Sequence, residues 1–138
     1  MINTGIWIDR QKAHVITFKD EHEIEQIIES DVEDYNVKGG SRSKTPWGPQ
    51  DKISESKYLE RRKHQLKNYF HKIMDVVNNS DAIAIYGPAD TKIHFKEEIK
   101  KNNKSIFEKI RIVKTQDSMT KNQFKALVKS FSNSINKI

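Results

Sequence analysis

The chain of 138 residues has room for one domain and one core. Charged residues make up 32% of it and the net charge is +6, and no apolar run approaches the ~20 residues that a membrane-spanning helix needs. Cysteine is absent, which excludes disulfides, thiolate zinc sites and a cysteine nucleophile, and Met1 to Asp9 lack a basic-then-apolar leader pattern, so the expectation is a soluble, cytoplasmic, single domain spanning 1–138.

Gly5 to Asp9 is rich in Ile and Trp and reads as a strand. Arg10-Gln11-Lys12 is a short polar link, and Ala13 to Phe18 reads as a second strand. After a polar turn at Lys19-Asp20-Glu21, Glu23 to Ile28 can form a third. Links this short predict an antiparallel meander. Met1 to Val37 hold nine acidic and three basic residues, a net of −6.

Residues 31–53 lack an aliphatic pattern and collect Gly39, Gly40, Pro46, Gly48 and Pro49. They read as a long loop, and loops of about 20 residues inside a domain tend to be functional or disordered. Ser54 is the expected cap of a helix running to Asn78, with Glu55 at the positive end of its dipole. Leu59, Leu66, Phe70, Ile73 and Val77 give it an apolar stripe at helical period, and Lys57, Arg61, Arg62 and Lys63 are read on the opposite faces. Lys38 to Lys72 hold ten basic and three acidic residues, a net of +7.

Ala82 to Tyr86 is continuously apolar, as a strand buried on both faces requires. Gly87-Pro88 breaks it, and Asp90 can cap a second helix to about Asn102. Ile110 to Val113 is a further strand. Thr120 to Gln123 fits a capping box ahead of a third helix carried by Phe124, Leu127, Val128, Phe131 and Ile135. The order βββ–long loop–αβαβα predicts an α/β domain with one mixed sheet, compatible with a ribonuclease-H-like layout.

Chemistry concentrates in the loop. Gly39-Gly40 lets backbone approach a ligand closely. Arg42 and Lys44 suit phosphates, and Trp47 can stack on a base. Gln50 can orient water but cannot act as a general base. The plainer alternatives are a solvated Lys-rich surface and a Trp47 that folds back onto the core. Gly87 to Asp90 reads as a tight strand-to-helix turn, since Asp90 opposes an anion there. Asp9 with Glu60 and Asp81 or Asp90 could hold divalent ions in a nuclease, but Asp9 also suits an ordinary turn, and Glu60 an ion pair with its basic neighbours. His64 and His71 are seven apart, too far for the i, i+4 metal pair. Neither a metal nor a cofactor is expected.

Three stretches carry a family resemblance: Gly39-Gly40 ahead of a basic loop, the basic helix segment Glu60-Arg61-Arg62-Lys63, and Ala84 to Lys92, with its strand followed by Gly-Pro-x-x-x-Lys. In these the chain resembles the middle, catalytic domain of the archaeal and eukaryotic class-1 release factor and Pelota group, as a stand-alone bacterial relative. The resemblance implies a ribonuclease-H-like fold and contact with the ribosome or tRNA. RNA would be held by Gly39, Gly40, Ser41, Arg42, Lys44 and Trp47 on the loop and by Lys57, Arg61, Arg62 and Lys63 on the helix. In release factors the Gly-Gly pair is followed by a Gln that positions water at the peptidyl-tRNA ester. Here Ser41 stands in that place, as in Pelota-type relatives that act without hydrolysis. The expected function is a rescue, release or dormancy factor. The alternatives are a peptidyl-tRNA hydrolase using Gln50 as a displaced catalytic amide, and a protein-interaction module whose acidic meander faces a basic partner.

Overall fold

The structure, a computed structural model, describes residues 1–32 and 48–136, with side chains described for 1–32 and 57–136. It opens with the expected meander: β1 (Ile2–Ile8), β2 (Lys12–Lys19) and β3 (His22–Glu29). Asp9 turns the first hairpin: its Oδ1 accepts from the amides of Gln11 and Lys12, both at 2.8 Å. Asp20 turns the second at a φ of 58°, the left-handed region that aspartate tolerates.

Helix α1 (Gly48–Val77) is 30 residues long, about 45 Å at 1.5 Å per residue. It starts earlier than the sequence predicts. Residues 48–53, expected in the loop, are helical, and Ser54 is interior rather than a cap. Pro49 is the reason this is tolerated: in a first turn its missing N–H has no partner to lose and its fixed φ is already helical. The rest of the expected loop, 33–47, lies outside the described residues.

β4 (Ala82–Gly87), α2 (Thr91–Asn102), β5 (Ile110–Thr115) and α4 (Lys121–Asn136) follow as expected. One element is not legible in the sequence, the single turn α3 (Lys104–Phe107), where the side chain of Asn103 accepts from the Ile106 amide at 3.1 Å. Ile106 is buried there.

The strands form one mixed sheet in the order β3-β2-β1-β4-β5. β1 is antiparallel to β2 and parallel to β4, and β4 is parallel to β5. Strand alternation sends Ile6, Ile8, Ile83 and Ile85 to one face, where they meet Tyr69, Ile73, Phe95 and Ile99 of α1 and α2. Trp7, Ile16, Ala84 and Tyr86 point to the other face, against Phe124, Val128 and Phe131 of α4. The predicted α/β mixed sheet is thus observed, with helices on both faces.

Helix α4 seats closely because β1 carries Gly5: a Cβ at that position would overlap the side chain of Val128. Side-chain pairs at the other edge of α4 hold it to the meander. Lys121 and Lys125 reach Glu25 and Glu23, each at 2.9 Å, and His14 Nε2 lies 2.6 Å from Glu25. Two carboxylates of the acidic meander therefore have cations within the fold itself. The Lys121 hydrogen bond, followed by that of His14, holds Glu25 below the usual carboxylate range.

Gly5→Ala should cost about 1–3 kcal/mol of stability in chemical denaturation, as overpacking does, and adding Val128→Ala should restore part of it. A depressed carboxylate stabilises the fold above its unfolded value and loses that contribution as pH falls through its folded one. Stability should therefore fall on acidification below about pH 4.5, and Glu25→Gln should flatten that limb in pH-dependent urea melts.

Candidate functional site

β1 and β4 run parallel, so their carboxyl ends lie at the same end of the sheet. They approach there with no side chain between them, since a Cβ at Gly87 would overlap the carbonyl oxygen of Ile8. Beyond this contact the chains part. β1 leads into the Asp9-Arg10-Gln11 turn, and β4 leads through Pro88-Ala89-Asp90 into α2. The two turns and His94 border a cavity of about 420 Å³. A second cavity of about 440 Å³ shares Arg10, Thr91 and His94 with the first. It extends along α1 over Leu59, Glu60, Arg62, Lys63 and Leu66. Together they form one cleft between α1, the first hairpin and the start of α2.

The frame of the cleft is well tied. The buried Tyr69 hydroxyl donates to the Asp9 carbonyl at 2.9 Å, which fixes α1 to the end of β1. Burial, and then the nearby charge of Asp9, raise this phenol far above its ordinary range, so it stays a donor. Lys92 is also buried, and its ammonium donates to the Ala89 carbonyl within the β4–α2 turn. His71 lies 2.9 Å from Glu98 and joins α1 to α2, and Asn102 donates to the same carboxylate at 2.8 Å.

Asp90 occupies the N-cap position of α2 but makes no side-chain cap hydrogen bond, and it is exposed at the cleft. Asp9 differs in having Oδ1 committed to two backbone amides.

The predicted site residues divide. Gly39, Gly40, Ser41, Arg42, Lys44 and Trp47 lie outside the described residues. Gln50, expected in the loop, sits instead in the first turn of α1. Of the helix cations, Lys57, Arg61 and Lys63 are exposed and Arg62 is half-buried. Arg62 and Lys63 are not opposite the apolar stripe. They line the second cavity with Leu59 and Leu66, at positions i, i+3, i+4 and i+7 of one helix face. Lys57 and Arg61 lie four apart on a different face.

The carboxylates considered for metal also separate. Asp9 and Asp90 border the first cavity, whereas Asp81 is at the opposite end of the sheet, where it accepts from the Ile2 amide at 2.7 Å. Among the described residues no three His, Cys, Asp or Glu side chains are grouped to hold a metal ion.

Sequence reasoning misses Arg10, Thr91 and His94 as cleft residues. The available signal is the placement of two turns after strands that prove parallel and adjacent, since open α/β sheets bind ligands at such carboxyl ends.

No protein-family model matches the chain, and no curated protein matches it. Solved structures do. Pelota from Archaeoglobus fulgidus superposes on 94% of this chain with a TM-score of 0.57 and 10% identity. This chain is similar in fold to part of Pelota. It spans 31% of that protein's length. The archaeal translation termination factor aRF1 covers 86% of the chain at a TM-score of 0.45 and 12% identity, and the chain spans 31% of it. Pelota from Thermoplasma acidophilum covers 86% at a TM-score of 0.44 and 12% identity, and the chain spans 28% of it. No helix among the described residues is long and apolar enough to cross a membrane.

Tyr69→Phe removes one hydrogen bond from the frame of the cleft and should cost about 1 kcal/mol in urea denaturation. An unchanged midpoint would show that the Asp9 carbonyl finds water instead.

Proposed function

We propose that this domain is a cytoplasmic translation factor of the rescue, release or dormancy type, and that it associates with the ribosome or tRNA through RNA phosphates. The observation that carries the reading is the fold shared with Pelota over nearly the whole chain, together with the sequence resemblance to the release factor and Pelota group. The net charge of +7 between Lys38 and Lys72 supports it, since dense positive charge attracts polyanions and speeds their capture. Lys57 and Arg61 supply phosphate contacts from exposed positions on α1, and the Gly39 to Trp47 segment adds the remainder, with Trp47 stacking on a base. Ser41 after the Gly-Gly pair favours binding without ester hydrolysis.

Ribosome pelleting across a salt series tests this. The bound fraction should fall steeply with salt. Lys57→Glu with Arg61→Glu should lower the slope of log K against log salt by about 1 for each phosphate that the variant leaves unneutralised. Absence from the ribosome pellet at low salt, with no tRNA recovered in a nuclease-sensitive pull-down, would refute the reading.

A further inference from the structure

The cleft has two unlike halves. One is bordered by the carboxylates of Asp9 and Asp90, the other by Arg62 and Lys63 beside Leu59 and Leu66, and Arg10 stands where they join. We propose that the cleft binds a nucleoside 5′-phosphate, free or at the end of an RNA strand, with the phosphate on Arg10, Arg62 and Lys63 and the ribose hydroxyls on Asp90. This does not depend on ribosome association; it concerns another face of the domain.

Topology places the site. β1 connects to β2 on one side of the sheet, and β4 connects through α2 to β5 on the other, so the strand order reverses between β1 and β4. Diverging connections leave a crevice at the carboxyl ends, which is where open α/β sheets take ligands. The two volumes, about 420 and 440 Å³, are each within the range of small-ligand pockets, roughly 300–1,000 Å³.

The charges assign the orientation. An aspartate at a helix N-cap ordinarily accepts from an amide of the first turn. Asp90 does not, so its carboxylate is available to hydroxyl donors in the cavity. The same negative charge disfavours a phosphate at the start of α2, where the Lys92 ammonium is already engaged by the Ala89 carbonyl. The other half is its complement: Arg62 and Lys63 on α1 and Arg10 in the first hairpin stand against one carboxylate, Glu60, among the described residues that line it. Leu59, half exposed, supplies apolar surface for the base on the same helix face as the two cations.

Titration calorimetry of the whole chain with adenosine 5′-monophosphate, adenosine, inorganic phosphate and 5′-phosphorylated pentaadenylate tests the proposal. The monophosphate should bind saturably, with adenosine and inorganic phosphate each at least about tenfold weaker. Asp90→Ala should weaken the monophosphate about tenfold and leave inorganic phosphate unchanged, whereas Arg62→Gln with Lys63→Gln should weaken both. Tighter binding of the oligonucleotide than of the monophosphate identifies an RNA end as the source; the reverse identifies a free nucleotide. Asp90 is exposed, and an unchanged thermal melt confirms that the variant folds. Ribosome pelleting of Asp90→Ala should match the parent, which separates this proposal from the preceding one. Absence of saturable binding by both phosphate-bearing nucleotides, equal affinity for inorganic phosphate, or an Asp90→Ala variant that binds like the parent would overturn it.

Discussion

β1 is paired along both edges, antiparallel to β2 and parallel to β4, and the rest of the molecule is arranged by that double pairing. The antiparallel side needs only a hairpin, which Asp9 supplies from its own side chain. The parallel side needs a crossover, and α1 provides it before the chain returns as β4. Burial on both faces follows, because a central strand with helices above and below has no solvent side. Gly5 lets α4 approach one face, while Ile6 and Ile8 fill the other. The cleft is a by-product of the same pairing, since two adjacent parallel strands must release their chains at one end.

Much of this is legible in the sequence. The short links between the first three strands, the apolar run Ala82 to Tyr86 and the clean stripe of α4 each point to one arrangement. Misreadings arise where one residue type serves two purposes. Pro49 and Gly48 read as loop residues, yet proline is also at home in the first turn of a helix. Arg62 and Lys63 read as lying opposite the apolar stripe, yet they belong to the face that carries Leu59 and Leu66. Past the sheet that face borders a cleft rather than a core, and charge is tolerated there. Arg10 and His94 are invisible in the sequence because their meaning depends on a strand pairing across some 80 residues of chain. The single turn α3 is too short for a periodic signal.

Charge changes its meaning once the chain is folded. Along the sequence, the acidic meander resembles one pole of a dipolar domain. Glu23 and Glu25 instead meet Lys125 and Lys121, so part of the negative charge is used inside the molecule to seat α4. The described cations of the basic segment divide too: Arg62 and Lys63 line the cleft, and Lys57 and Arg61 lie on another face of α1.

The contact between Gly87 and the Ile8 carbonyl has one more consequence. Where β1 and β4 press together, just short of the cleft, backbone meets backbone. The residues that follow it into the cleft include Pro88, which has a ring in place of a rotor, Ala89, which has none, and Asp9, already clamped by two amides. Few torsions are left to freeze at these three residues, so what a bound molecule must order is confined to the longer side chains beside them, such as Arg10 and Gln11. Shape is therefore set where the strands end, while the charged side chains around that end adjust to what is bound.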